Sequence, residues 1–221
     1  MTFSFVPSAL SATVVALACL ATTAQAQAPA NGSVALPAAA NNAASVTAPQ
    51  VVAHYAHLVH SNYSDTLAAA KAMQTAISAF TSQPSAATLA EARKTWLAAR
   101  EFYGQTEAFR FYGGPIDNDN GPEGRINAWP MDESFVDSVQ GKASAGLVNN
   151  RKFVISKKNL SAQNERGGEE NIATGWHAIE FFLWGQDVSD TGPGERSFED
   201  FVDGKAPNAD RRRQYLNVVT E

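Results

Sequence analysis

The stretch Thr174–Asp187, TGWHAIEFFLWGQD, decides how this chain folds. Trp176, Ile179, Phe181, Phe182, Leu183 and Trp184 make it apolar on nearly every side, the pattern of a helix inside a core rather than on a surface. Ile172, Trp176, Ile179 and Leu183 recur at helical spacing, which predicts a helix from about Glu169 to Trp184, ended by Gly185. His177 and Glu180 lie three positions apart, with Cβ atoms about 5–6 Å from each other on a helix. The pattern assigns both to an inward sector. An unpaired polar group there costs about 1–3 kcal/mol, and an unpaired charge costs more. The pair must therefore bind each other, another core group, or something from outside.

Working outward, Val52, Tyr55, Val59, Tyr63, Leu67, Ala70, Met73, Ile77 and Phe80 recur at three and four, which predicts one long amphipathic helix after Pro49. The segment TSQPS (81–85) breaks it, and Ser85 is placed to cap a second helix carrying Leu89, Ala92, Trp96, Ala99 and Tyr103. Tyr112–Glu133 is dense in Gly, Pro, Asn and Asp and reads as a long loop, packed through Ile126 and Trp129. A short helix over Glu133–Val139 and a last helix from about Asp210 to the chain end complete the pattern. No alternating β-type run occurs. The fold class is all-α, a helical bundle.

The chain has 221 residues and a net charge of −5, and nothing charged precedes Asp65. An apolar run near Val14–Leu20 followed by Ala24-Gln25-Ala26 marks residues 1–26 as a signal peptide, without the usual basic start. Residues 27–49 are Ala, Pro, Asn and Ser without period, a flexible linker, and 50–221 form the helical domain. Cys19, the only cysteine, falls inside the signal, where ALAC resembles a degenerate lipid-attachment site. Cleavage after Ala26 leaves no cysteine, which excludes disulfides, thiolate metal sites and a cysteine nucleophile. No basic footprint supports nucleic-acid binding, and Arg211-Arg212-Arg213 reads as a solvated helix face.

Three readings of His177 and Glu180 stand side by side. One is internal pairing, with each other or with Arg100, Arg110 or Glu107. A second is a metal site, since imidazole and carboxylate suit zinc or iron; further ligands would come from Glu101, Glu107, Asp117, Asp119, Glu123 or the first helix. The third is a metallopeptidase, but Ala178 after His177 and Phe181 after Glu180 break both zinc-helix motifs. His54, His57 and His60 are spaced by three on the first helix; adjacent pairs can clasp a metal, but the set turns through about 120°. Exposed helical histidines are their simpler account. DNDNGPEG from Asp117 fails as a calcium loop, with glycine at the fifth place and Ala128 at the twelfth.

The motif G-x-H-x-x-E in GWHAIE resembles that of the imelysin family. WLAAREFYGQTEAFRFYGGPID, GPEGRINAWPMDE, GGEENIATGWHAIEFFLWGQD and GPGERSFEDF are similar to its iron-regulated, cell-envelope branch, and the likeness covers about residue 50 to the end. The resemblance implies two helical-bundle domains, export to the periplasm or cell envelope, and a role in iron uptake. It implies a metal, iron or zinc, held by His177 and Glu180, with Gly175 letting the helix start approach closely. Glu107 and then Asp117 are added as ligands from their loop and helix placement. Family members run longer, so the resemblance leaves this chain with the first bundle domain, a missing C-terminal domain as partner, half a pocket, and exposed Trp176 and Phe faces. Iron-uptake proteins of the envelope are the other implied partners. The family's peptidase label gives the alternative, a zinc metallopeptidase taking a second imidazole from His54, His57 or His60. A further alternative is an envelope component that binds haem or a protein without catalysis.

Overall fold

Thr47 opens the first helix, its backbone N–H donating to Gln50 Oε1 at 2.9 Å, and Pro49 sits in the first turn, where its missing N–H is not needed. Helix α1 then runs over Ala48–Ser82. The computed structural model describes residues 45–221; the expected signal peptide, Cys19 and residues 27–44 of the expected linker lie outside the described residues, and Ala48 and Pro49, expected in that linker, already belong to α1. The apolar stripe read from the sequence is only half used. Burial on α1 begins at Thr66 and continues through Met73, Ile77, Phe80 and Thr81, whereas Val52 and Leu67 are exposed.

Pro84 and Ser85 turn the chain. Ser85 Oγ accepts from Thr88 N at 3.2 Å, and α2 (Ala86–Gln105) packs back along α1, with Asn62 Nδ2 donating to Gln105 Oε1 at 3.2 Å. Its buried residues are Leu89, Ala92, Trp96, Ala99 and Tyr103, as the spacing predicts. A 3₁₀ turn, Thr106–Phe109, leads into the long loop. Short helices then interrupt irregular chain: α3 (Glu123–Ile126), α4 (Glu133–Val136), α5 (Gly146–Asn149) and α6 (Lys157–Gln163). Helix α7 (Gly175–Trp184) lies against α2, and α8 (Ala209–Val219) closes on α1 and α7. No strand forms among the described residues, so the fold is all-α, and no helix there is long and apolar enough to cross a membrane.

The core is where these helices meet. Ile77, Phe80, Phe182, Leu183, Phe201, Tyr215 and Leu216 are fully buried, each large apolar side chain contributing about 1.5–3 kcal/mol. Tyr215 keeps its hydroxyl satisfied by donating to Ala173 O at 2.8 Å. The expected exposed aromatic faces are not there: Trp176, Phe181 and Phe182 are 6%, 3% and 0% exposed. The most exposed aromatics among the described residues are instead Phe111, Tyr112 and Trp129.

Two further expectations change. Helix α7 begins at Gly175, not near Glu169, because Asn164 Oδ1 accepts from the N–H groups of both Ala173 and Thr174 and holds that segment as a brace. The three arginines of α8 are not a solvated face. Arg211 donates to the carbonyls of Leu147, Val148, Asn150 and Phe153, Arg212 is buried on Asp137, and Arg213 pairs with Asp203. Each ties α8 to short helices or irregular chain between the long helices.

Candidate functional site

Trp176, Ala178, Ile179, Phe181, Phe182 and Leu183 are buried along α7. The side chains that remain, His177, Glu180 and Trp184, fall within about 60° of one another on the helical wheel. That sector is the one the body leaves open. The expected inward placement is thus corrected for Glu180, whose side chain is 43% exposed, while His177 stays mostly buried at 16%.

His177 Nδ1 lies 3.1 Å from Glu180 Oε2. Its other neighbour is the Trp129 ring, tilted across the imidazole with centroids 4.7 Å apart. Trp129 is itself 69% exposed, so the loop lays it over the histidine instead of burying it. The pair borders a cavity of about 400 Å³ whose wall also carries Met131, Glu133 and Asp187, over a floor of Trp96, Phe181 and Trp184. Burial pushes the Glu133 carboxyl above the usual range; Arg196 pulls it back, and Asp187, Asp132 and Glu180 add to the rise. The cavity therefore has an imidazole, three carboxylates and an aromatic lid.

The other expected residues lie apart from it. Glu107 stands on the 3₁₀ turn, mostly exposed, accepting from Arg110 Nη2 at 2.6 Å, and lines a groove with Arg100, Glu101 and Gln105. Asp117 is occupied as a loop clasp, accepting from Phe111 N and, at 2.9 Å, from Gly114 N. Neither borders the His177 cavity. Arg110 is buried between Glu107 and Glu123, and Arg100 lies over the Tyr103 and Trp176 rings. Tyr103 donates to Glu123 Oε2 at 2.9 Å; burial, only partly offset by Arg110 and Arg100, pushes its hydroxyl up to about 12. Arg100, Arg110 and Glu107, the other partners expected for His177, are thus engaged elsewhere, and His177 pairs with Glu180. His54, His57 and His60 stand on the exposed start of α1 and do not border the cavity.

Gly175 acts on the backbone. Its φ is +84°, and a Cβ there would stand 2.2 Å from Ile126 O, so the helix start meets α3 with no room for a side chain. Among the described residues, no three His, Cys, Asp or Glu side chains are gathered tightly enough to form a finished metal cage. The sequence reading missed Glu133, Asp187 and Trp129 as neighbours of the pair. All three sit in the quoted segments, but Glu133 reads locally as a helix starter and Asp187 as a residue past a helix end.

A bundle of helices that turns one His–Glu pair out of an otherwise buried helix onto an acidic cavity is the class of protein defined here. Residues 59–221 match the imelysin family (peptidase M75), and the chain belongs to that family. It is also similar to iron-regulated protein A of Synechococcus elongatus, at 37% identity over 71 residues. That stretch is 32% of this chain and 19% of the relative, so the match spans about a fifth of the curated protein.

Proposed function

We propose that this chain is an exported cell-envelope protein that binds a metal ion, iron foremost, through His177 and Glu180, and that it serves iron uptake or homeostasis. The observation that carries this reading is the pair itself: an imidazole and a carboxylate 3.1 Å apart, opening onto one cavity with Glu133 and Asp187 on its wall. Imidazole and carboxylate are a ligand mixture suited to iron and zinc. Like charges crowded around a partly buried carboxyl favour an entering cation, which relieves their repulsion. Trp129 over His177 limits the ring's freedom and shields one side of the site from water. The ion is cargo in this reading, held and released rather than used in a reaction. The resemblance to an iron-regulated protein supports iron as the metal.

In this reading His177 and Glu180 are the ligands and Glu133 and Asp187 contribute negative charge from the cavity wall, whereas Glu107 and Asp117 do not border the cavity. The zinc-peptidase alternative draws no support, because no second histidine borders the cavity. The test is metal content of the full chain, purified without chelator and after loading with Fe²⁺ or Zn²⁺. A near-stoichiometric metal that is lost in the His177→Ala, Glu180→Ala double variant, and weakened in Glu133→Gln, is the expected result. No metal in the loaded wild-type chain overturns the reading.

A further inference from the structure

Three of the protein's four histidines lie within seven residues of one another at the start of α1. We propose that this arm is a second metal site, distinct from the His177 cavity, in which His57 chelates a borderline divalent ion, Cu²⁺ foremost and then Ni²⁺ or Zn²⁺, together with either His54 or His60.

The helix sets the geometry. α1 is continuous from Ala48 to Ser82, so residues three apart keep Cβ atoms about 5–6 Å from each other. Two imidazoles at that spacing can each bring a ring nitrogen to about 2.0–2.1 Å from one ion. The direction of Thr66, Met73, Ile77 and Phe80 defines the core side of α1. At about 100° per residue, His57 points roughly 170° away from it, with His54 and His60 about 60° to either side. All three are exposed. Among the described residues their rings make no hydrogen bond or ion pair; His60 contributes only its backbone carbonyl, to Ser64 Oγ at 2.7 Å. The nitrogens are uncommitted, and the helix has already met the cost of ordering the backbone that bears them.

The ligand chemistry follows from what is missing nearby in sequence. No Asp, Glu, Lys or Arg precedes Asp65, so neither a carboxylate nor a competing cation shares this part of the helix. An all-imidazole set favours Cu, Ni and Zn over oxygen-seeking Mg, Ca and Mn, and among divalent ions Cu²⁺ binds most tightly. The acidic His177 cavity offers the opposite mixture. Because the three rings spread over about 120°, one ion takes two of them and fills its other positions with water. His57 is common to both pairs, which makes it the decisive residue.

The experiment is calorimetric titration of the full chain with Cu²⁺ and Zn²⁺, with electron paramagnetic resonance of the copper form to count nitrogen ligands. Wild type should take one Cu²⁺ on the arm with a two-nitrogen signature. That site should persist in the His177→Ala, Glu180→Ala variant. Changes behind a metal ligand alone weaken binding about 10–100-fold, so loss of the shared ligand in His57→Ala should weaken it at least about tenfold. His54→Ala and His60→Ala each keep one pair and should bind nearly as wild type. These are exposed positions, where substitution scarcely alters stability. Copper binding unchanged in His57→Ala, or lost with His177 and Glu180 while the arm is intact, overturns the proposal; so does the absence of any copper binding.

Discussion

Glu133 is the residue on which the charge of the cavity turns. Its folded-state carboxyl is held above the ordinary value of 4.5, first by burial and then by Asp187, Asp132 and Glu180 against the pull of Arg196. Folding therefore takes up a proton between the unfolded and the folded value, and stability falls as pH rises through that window. Glu133→Gln removes the titration. Urea denaturation across a pH series should show the variant gaining on the wild type as pH rises above about 4.5, the reference carboxyl value. A bound cation reverses the balance by favouring the charged carboxylate, so the same series with saturating metal should narrow the difference. His177 and Glu180 were legible as a pair because helical spacing alone brings them together. Glu133 was not, because its meeting with Glu180 depends on where a loop folds.

At the scale of the element, α7 shows how far local pattern reaches. Its apolar run, its glycine stop and the burial of Trp176, Ile179, Phe181, Phe182 and Leu183 follow from the sequence. Its start does not. Asn164, ten residues before Thr174, and the carbonyl of Ile126, far away in the chain, meet the backbone where the helix begins at Gly175. Gly175→Ala would place a methyl against that backbone oxygen at a φ suited to glycine. It should cost about 1–3 kcal/mol, read as a lower urea midpoint with unchanged slope, and weaken the metal binding proposed above by tilting His177. The neighbouring α2 offers a comparison on packing. Trp96 donates from Nε1 to Trp176 O at 3.2 Å and meets Trp176 and Trp184 edge-on. Trp96→Ala should cost about 3–5 kcal/mol in the same assay.

At the scale of the whole molecule, long irregular segments are held by one buried carboxylate. Asp137 accepts from Arg212 Nε at 2.6 Å, from Arg196 Nη1 at 3.0 Å and from Ser138 N at 2.8 Å, joining α8 and the chain after α7 to the end of α4. Burial raises its carboxyl, but the two guanidinium groups win and hold it below the ordinary range. Its contribution is thus present above the unfolded value and lost only as pH falls through the lower folded one. Asp137→Asn leaves two buried arginines short of a counter-charge. The expected loss is about 3–5 kcal/mol at neutral pH, with a weaker acid dependence than the wild type, measured by thermal unfolding across pH.

The sequence by itself determined the all-α class, the hairpin of α1 and α2, the core faces of α2 and α7, and the His177–Glu180 pair. All of these rest on periods of three and four, which neighbours in the chain impose. Only the tertiary structure decided which half of α1 is buried, that the arginines of α8 are inward staples, and that Glu133, Asp187 and Trp129 surround the pair while Glu107 and Asp117 do not. Those outcomes depend on contacts between residues tens of positions apart, where burial and charge are settled by packing, and no local pattern encodes which partner arrives.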